Sequence, residues 1–182
     1  IWAAGEFLYP RLEGFPGSDL CRHTATLENY ADLEGDDFLI IGGYESGVDA
    51  AYDLSKRGKK VNIFDKDDSW CLDTSDPSVS LSTFSYERMR DASFEENVTL
   101  IAENAGSSIE LGAGVYELKS EDGQMYKSKT QPLLASGFVG SQTLVSHLFE
   151  EREDGFPLLN ERDESTKVPG MYLCGPSCLL YT

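Results

Sequence analysis

The sequence predicts an α/β fold: a parallel sheet with helices, and a small antiparallel β-hairpin or meander added to it. Three observations predict it. A short apolar strand at 38–41 is followed at once by a helix at 46–57, whose apolar residues recur at i, i+3 and i+4. A second strand is predicted at 60–65, and the spacing from strand to helix to strand is that of a right-handed βαβ unit. Farther along, short strands are separated by turn residues, which is typical of a meander.

Each element follows from a local pattern. Phe38 to Ile41 are all apolar, as in a buried strand, while Val48, Ala51 and Tyr52 mark the apolar face of the helix and Gly58 ends it. The other predicted elements, in chain order, are a strand at 1–5, connecting chain at 6–37, a polar loop at 66–84, a helix at 86–95, strands at 98–102, 108–111, 115–119, 124–129 and 132–136, a helix at 141–150, a charged loop at 151–167 and a last buried strand at 171–175.

The charge of the chain restricts its partners. A formal net charge of −17 at pH 7 argues against nucleic acid and anionic membrane surfaces, since both need a basic face. The simplest role of this charge is solubility. No run approaches the ~20 apolar residues of a membrane helix, and the first residues show no signal peptide. The chain opens inside a predicted strand, which suggests that it was cut from a longer protein.

The cysteines and histidines predict neither a redox pair nor a metal site. Four cysteines are scattered without forming Cys-x-x-Cys: Cys21, Cys71, Cys174 and Cys178. We expect a cytoplasmic protein with reduced thiols that pack or are incidental. His23 and His147 lie far apart in the sequence and join no metal-ligand pattern, so no metal is expected.

The turn after the first buried strand carries the strongest functional signal. A strand, a glycine turn and an immediate helix begin a dinucleotide-binding βαβ unit, in which the helix N-terminus faces the pyrophosphate. Gly42 permits the tight turn, and Gly47 lets the helix pack close to the strand. Tyr44 stands where a second glycine normally lets the backbone approach the phosphates. The candidate cofactor-binding positions are consecutive: Gly42, Gly43, Tyr44, Glu45, Ser46 and Gly47.

Ser46 could also be a catalytic nucleophile, because hydrolases place a nucleophile at such a strand-to-helix turn. The pattern Gly-x-Ser-x-Gly that they need is missing, since Tyr44 and Val48 occupy the glycine positions. Ser46 is therefore expected to cap the helix or to donate to a phosphate.

Asp65 indicates which dinucleotide is preferred. It ends the second strand of the βαβ unit, near the ~20-residue distance from the glycine turn at which a ribose-binding carboxylate is expected. Such a carboxylate accepts hydrogen bonds from the ribose 2′-hydroxyl and repels a 2′-phosphate, so NADH is favoured over NADPH. The neighbouring Lys66, also a candidate cofactor-binding residue, weakens this preference. The alternative is that Asp65 is only a solvated acid at a strand end.

Three segments around the glycine turn carry a resemblance to a known family. Residues 1–10 resemble the strand and Ala-Thr-Gly turn that follow a first FAD-binding segment, with Ala4 in place of threonine. Residues 133–138 resemble the matching turn that closes the nucleotide domain, and residues 168–175 resemble the later strand that returns to the FAD domain. In their order and spacing, these segments make the chain similar to flavin-dependent pyridine-nucleotide oxidoreductases, both flavin monooxygenase-like and thioredoxin reductase-like.

The resemblance implies a Rossmann-like FAD/NAD(P)-binding fold in which an NAD(P)H domain is inserted into an FAD domain. It assigns 1–30 to a trailing FAD-domain strand and connector, 31–150 to the NAD(P)H domain and 151–182 to the return segment. Gly137, in the closing turn, joins the cofactor-binding positions. Hydride would pass from NAD(P)H to FAD in the full-length protein, while this chain alone is expected to hold no FAD and to be inactive. The electron acceptor is not implied.

The sequence differs at two motifs from the members of this family whose chemistry is known. Thioredoxin reductases carry Cys-x-x-Cys just before this glycine turn, whereas here only Cys21 precedes it. Flavin monooxygenases carry Phe-x-Gly-x-x-x-His, whereas here His23 comes two residues late after Phe15 and Gly17. Monooxygenase activity is therefore only an analogy.

Two other functions stay open. A nucleotide-sensing regulatory domain that gates cation transport also uses a Rossmann unit with an acid after the second strand, although the hairpin at 116–127 argues against it. A scaffold that binds no nucleotide is favoured by Tyr44 and by the acidic charge. Titration with NADH and NADPH separates these alternatives.

Overall fold

The computed structural model describes residues 1–5, 7, 9–12, 14–72, 74, 80–153 and 156–175. The chain divides into two compact units. The central unit is Leu12–Ser136, and the terminal unit combines Ile1–Arg11 with Gly137–Thr182. Cys178 and the end of the predicted return segment, 176–182, lie outside the described residues, as do positions 73 and 75–79 of the predicted polar loop.

Short strands and helices make up both units. The strands are β1 Tyr9–Pro10, β2 Arg22–His23, β3 Asp37–Ile41, β4 Lys60–Asp65, β5 Val98–Ala102, β6 Gly106–Gly112, β7 Val115–Ser120, β8 Met125–Ser128, β9 Leu133–Leu134, β10 Phe138–Val139, β11 Glu150–Glu151 and β12 Pro157–Leu158. The α-helices are α1 Glu45–Lys56, α2 Thr83–Met89 and α3 Ala92–Asn97, and 3-10 helices cover Ser18–Leu20, Thr24–Thr26, Tyr30–Asp32 and Ser141–Leu148.

A five-stranded parallel sheet, in the order β2-β9-β3-β4-β5, forms the centre of the central unit. In its register, Ile40 lies opposite Ile63 on one side and opposite Leu133 on the other. Since all five strands run in one direction, the residues that follow them meet at one edge of the sheet, where ligands of parallel α/β sheets bind. The predicted α/β fold with a parallel sheet is confirmed.

Two apolar layers cover the two faces of this sheet. Ile40 and Ile63 belong to a cluster with the apolar face of α1, whose Val48 and Leu54 are fully buried. Leu39 and Phe64 belong to a second cluster with residues of β6 and β7. Neighbouring residues of a strand point to opposite faces, so β3 and β4 contribute to both clusters. Each fully buried Leu or Val side chain contributes about 1.5–3 kcal/mol of transfer free energy.

The predicted antiparallel addition is also confirmed. Strands β6, β7 and β8 form a three-stranded antiparallel meander, in which Leu118 pairs with Ile109 on one side and Tyr126 on the other. The last two strands are joined by a turn in which Gly123 has a φ of 86°, a conformation that favours glycine.

The predicted helix at 86–95 is wrong, because two helices occupy this region. After α2 ends, the Asp91 carboxylate accepts a hydrogen bond from the Ser93 N–H at 2.9 Å, so a new helix is capped there. Asp91 has extended backbone angles, with φ −68° and ψ 138°, which interrupt the helical path. The predicted helix at 141–150 is a 3-10 helix with a kink at Val145.

The terminal unit has its short strands at positions other than the predicted ones. Trp2 and Leu173 form an isolated parallel bridge, so the strands expected at 1–5 and 171–175 are wrong as continuous strands. The Trp2 N–H still donates to the Tyr172 carbonyl at 2.7 Å, and its indole N–H donates to the Ser141 hydroxyl at 3.1 Å. Strand β11 begins at Glu150, the last residue of the predicted helix, and pairs with β12 inside the predicted charged loop. No helix in the described part of the chain is long and apolar enough to cross a membrane.

Candidate functional site

The turn between β3 and α1 requires glycine at its first position. Gly42 has a φ of 105°, and its N–H donates to the carbonyl of Phe64 in β4 at 3.0 Å. A Cβ at this position would overlap the carbonyl oxygen of Ala135, which follows β9. The turn is therefore held between the two strands that flank β3, and only glycine fits there.

Gly47 brings α1 close to the strand, as predicted. It is buried in the first turn of the helix, and a Cβ on it would overlap the carbonyl oxygen of Gly42 and press on Ile63. The helix therefore begins directly against the turn. Its first turn, which includes Glu45 and Ser46, has N–H groups without intrahelical partners, and these groups point toward the carboxyl edge of the sheet.

No side chain fits at Gly43, because Trp70, which the sequence did not indicate as a site residue, lies against it. The indole ring of Trp70 and the Cβ of Asp65 both occupy the space that a Cβ on Gly43 would need. The indole N–H of Trp70 donates to the Gly43 carbonyl at 2.7 Å, and this hydrogen bond is buried. Trp70 thus contacts the centre of the glycine turn from the segment after β4.

Tyr44 occupies the position of the missing second glycine, and its side chain is half-buried. It packs against the apolar cluster on the α1 side of the sheet. Its hydroxyl donates to the carbonyl of Ser80 at 2.8 Å. The ring is thus held by the core and by the segment before α2, and Tyr44 itself has extended backbone angles, with φ −81° and ψ −165°.

Glu45 and Ser46 differ in their surroundings. The Glu45 carboxylate accepts hydrogen bonds from the Ser82 hydroxyl at 3.0 Å, from the Ser85 hydroxyl at 2.6 Å and from the Ser82 N–H. Its charge is thereby held by donors at the start of α2. Ser46 is exposed. The α1 cap residue is Tyr44, without a side-chain capping bond, so the expectation that Ser46 caps the helix is wrong.

Asp65 lies beside the glycine turn, as its place at the end of β4 predicts. Only 7% of it is exposed, and one carboxylate oxygen accepts a hydrogen bond from the Ser69 N–H at 2.6 Å. It is therefore not the solvated strand-end acid that was the alternative. Lys66 is exposed, and its ammonium group lies 3.9 Å from the Asp67 carboxylate.

The candidate residues do not all fall in one unit. Gly42 to Gly47, Asp65 and Lys66 belong to the central unit, where the sheet brings the turn and Asp65 together. Gly137 belongs to the terminal unit, where it has a φ of 79° and its carbonyl accepts a hydrogen bond from the Arg11 N–H at 3.0 Å. Its assignment to the cofactor site stays a prediction.

These residues fit a dinucleotide. Gly42 and Gly47 leave no room for a Cβ, so the turn and the start of α1 lie close together, and the N-terminus of α1 favours negative charge. Asp65 adds a carboxylate at the point where a ribose is expected. The Glu45 carboxylate is hydrogen-bonded to Ser82 and Ser85 at the start of α2.

A concave region of about 800 Å³ lies at the other end of the sheet from the glycine turn. Its lining includes Arg22 and Asp37, the first residues of β2 and β3, together with Lys127 and Lys129. Ligands of parallel sheets bind at the carboxyl edge, whereas this region lies at the amino edge. Its lining includes both acidic and basic side chains, which indicates no one class of ligand.

Thiol and metal chemistry receive no support from the described residues. Burial raises the pKa of the Cys21 thiol to about 12, and the charge of Asp19 adds to this, so the thiol stays protonated and unreactive near neutral pH. Cys71 and Cys174 are exposed, and neither is in a disulfide. No group of three histidine, cysteine or acidic side chains that could hold a metal occurs in the described ranges.

Comparison with known proteins agrees with this geometry. A family model described as pyridine nucleotide-disulphide oxidoreductase matches residues 1–175. Bacilliredoxin reductase Bdr from Bacillus subtilis (strain 168) is 26% identical over 186 residues, which include 96% of this chain and 52% of that protein. The chain therefore spans about half the length of this curated relative.

Two solved structures show the same fold. Bacillithiol disulfide reductase Bdr (YpdA) from Bacillus cereus superposes with a TM-score of 0.69 at 18% identity, over 94% of this chain and 51% of that chain. Thioredoxin reductase from T. acidophilum superposes with a TM-score of 0.64 at 17% identity, over 94% of this chain and 54% of that chain. At these identities the likeness shows the fold, and it confirms the Rossmann-like class predicted from the sequence.

Proposed function

Because the chain belongs to the flavin-dependent pyridine nucleotide-disulphide oxidoreductase family, we propose that its central unit binds NAD(P)H, with NADH favoured, and delivers hydride to FAD in the full-length protein. One observation carries this proposal. The turn between β3 and α1 cannot accept a side chain at Gly42 or Gly47, and it lies at the carboxyl edge of a parallel sheet. In the dinucleotide-binding turn of parallel sheets, glycines at such positions allow the tight turn and the close helix–strand packing that place a helix N-terminus at the pyrophosphate.

The residues of the turn have separate roles in binding the dinucleotide. The N–H groups of Gly43 to Ser46 and the N-terminus of α1 bind the pyrophosphate. Gly42 and Gly47 hold this backbone close to β4 and β9. Tyr44 keeps the turn against the core through its bond to Ser80. The nicotinamide carries the hydride and the flavin accepts it, while the protein supplies position and electrostatics.

The charge beside Asp65 supports the preference for NADH. Residues 65–68 carry three carboxylates, on Asp65, Asp67 and Asp68, and one ammonium group, on Lys66. The ammonium group lies near the Asp67 carboxylate, so it is already partly neutralised. A 2′-phosphate would add about two negative charges to this acidic segment, whereas a ribose 2′-hydroxyl can donate a hydrogen bond to Asp65.

We also propose how the rest of the chain is divided between the two domains of the full-length protein. Residues 31–150 would form the NAD(P)H domain, residues 1–30 and 151–182 would belong to the FAD domain, and Gly137 would lie in the turn that closes the nucleotide domain. The free cysteines of the described residues favour a reducing compartment, and we place the protein in the cytoplasm. The acceptor that takes electrons from the flavin is a further partner of unknown chemistry.

Calorimetric titration with NADH and NADPH tests the proposal, with reduction of the bound flavin in the full-length protein followed by its absorbance. We expect NADH to bind more tightly than NADPH and to bleach the flavin. Binding of neither nucleotide would favour the scaffold without a ligand. Binding of NADH without flavin reduction would favour a regulatory nucleotide sensor. Tighter binding of NADPH would contradict the role given to Asp65.

A further inference from the structure

Trp70 is the one large side chain that both packs on the glycine turn and donates a hydrogen bond to it, among the described residues. It is 7% exposed and lies five residues after the end of β4. Its ring fills the space beside Gly43, and its indole N–H donates to the Gly43 carbonyl at 2.7 Å. The pair is separated by 27 positions in the sequence, so the contact is a tertiary one.

The hydrogen bond from Trp70 to the Gly43 carbonyl also determines where the Tyr44 N–H points. A trans peptide unit is planar, so the N–H of a residue points opposite to the carbonyl that precedes it. With the Gly43 carbonyl fixed toward Trp70, the Tyr44 N–H is turned away from Trp70. Tyr44 directly precedes α1, so this N–H belongs to the row of donors at the N-terminus of the helix.

The segment that carries Trp70 is itself held in place. The Asp65 carboxylate accepts the Ser69 N–H at 2.6 Å, and the Asp68 carbonyl accepts the Cys71 N–H at 3.0 Å. Asp68 has a φ of 48°, a left-handed conformation that costs a non-glycine residue on the order of 1 kcal/mol. A short segment with these bonds places the indole ring reproducibly.

We propose that Trp70 is a positioning residue for the dinucleotide: its indole N–H holds the Gly43–Tyr44 peptide in the orientation that presents its N–H group to the pyrophosphate. The inference rests on the proposed function and deepens it. Trp70 touches the turn and acts through it, so its loss affects every ligand that contains the pyrophosphate, whatever the sugar or the nicotinamide.

The test compares two tryptophan substitutions by calorimetry of the full chain with NADH and with ADP-ribose. Trp70→Phe keeps an aromatic ring and removes the N–H. Trp2→Phe is the matched control, because Trp2 also donates an indole hydrogen bond, to Ser141 of the terminal unit. We expect Trp70→Phe to raise Kd about fivefold for both ligands, the effect of one net hydrogen bond, and Trp2→Phe to leave Kd unchanged.

A spectroscopic measurement makes the test independent of whether Trp70→Phe folds. The chain has two tryptophans, so a ¹⁵N-labelled sample gives two indole N–H resonances, and Trp2→Phe assigns them. We expect the Trp70 resonance to shift on titration with ADP-ribose, with the Kd that calorimetry gives. A stationary resonance during binding, or an unchanged Kd in Trp70→Phe, would overturn the inference. Failure of the unmodified chain to bind either ligand would instead overturn the proposed function, and the inference with it.

Discussion

The Glu45 carboxylate accepts a hydrogen bond from the hydroxyl of Ser82, the residue that caps α2. Glu45 is the first residue of α1, so this bond joins the starts of two helices that are separated by β4 and a long loop. Ser85 adds a second hydroxyl donor at 2.6 Å. The start of α1 is therefore stabilised by α2 as well as by its own turn.

Ser82→Ala is expected to reduce the free energy of unfolding by about 1 kcal/mol, because the hydroxyl that caps α2 is lost. It also loses the hydroxyl bond to Glu45, which leaves that carboxylate with fewer donors. Urea unfolding followed by circular dichroism measures the change. Thr83→Ala is the control, since the neighbouring Thr83 is exposed and is expected to change stability by less than about 0.5 kcal/mol. Equal effects of the two substitutions would contradict the capping role.

Gly47→Ala is expected to destabilise the chain by about 1–3 kcal/mol, the usual cost of added volume in a well-packed core. The new Cβ would overlap the Gly42 carbonyl oxygen, so the start of α1 must move away from β3. NADH affinity is expected to fall as well, because the same backbone binds the pyrophosphate. Urea unfolding and calorimetry measure the two effects.

Gly112→Ala is the control for this substitution. Gly112 ends β6 with an ordinary φ and open space around its missing Cβ. Its replacement is expected to leave NADH affinity unchanged. If Gly47→Ala were as well tolerated as Gly112→Ala, the close approach of α1 to the turn would not matter for binding.

Asp65→Asn is expected to raise the affinity for NADPH relative to NADH by about fivefold, since removing one negative charge near a 2′-phosphate is worth about 1 kcal/mol in water. The amide oxygen can still accept the Ser69 N–H, so the segment after β4 keeps its path. Asp65→Ala removes both the charge and this acceptor, and it is expected to weaken NADH binding by ~1–2 kcal/mol. Asp67→Asn, on an exposed side chain, is the control in the same calorimetric titrations.

Asp91 is expected to stabilise α3 in a pH-dependent way. Hydrogen bonds from the Ser93 hydroxyl and the Ser93 N–H, together with Lys56, lower the pKa of the Asp91 carboxyl. A lowered native pKa means that the stabilisation is present above about pH 4, the ordinary pKa of aspartate, and is lost as the pH falls through the native value. Asp91→Ala should therefore lower Tm at pH 7 and have a progressively smaller effect in acid.

Glu87→Ala, at an exposed position of α2, is the control for this pH series. Thermal unfolding at several pH values between 7 and 2 measures both variants. A difference between Asp91→Ala and the unmodified chain that stays constant over this range would show that the charge of Asp91 contributes nothing.

The βαβ unit could be predicted almost residue by residue. The predicted strands at 60–65 and 98–102 have the observed bounds of β4 and β5, and α1 begins one residue before the predicted start. In α1 and β4 the apolar residues are buried, so their spacing along the sequence indicates the helical or strand period directly. The contacts of Gly42 and Gly47 also agree with the roles that the sequence suggested.

Other elements depend on partners that are distant in the sequence. Strand β2, at Arg22–His23, has no apolar run, and it is ordered by pairing with Leu133–Leu134. The same holds for Trp70, because no local pattern shows that its indole ring meets a backbone carbonyl 27 positions earlier. The one signal in the sequence is a large aromatic residue, Trp70, in the polar segment that follows β4.

The contact between Gly43 and Trp70 also limits how this protein can change in evolution. The indole ring occupies the volume that any side chain at position 43 would need. Residues in direct contact do not contribute additively to stability, so a change at one position alters what the other can tolerate. A homologue with alanine or serine at position 43 is therefore expected to carry a smaller residue at position 70, and an alignment of homologues should show the two positions varying together.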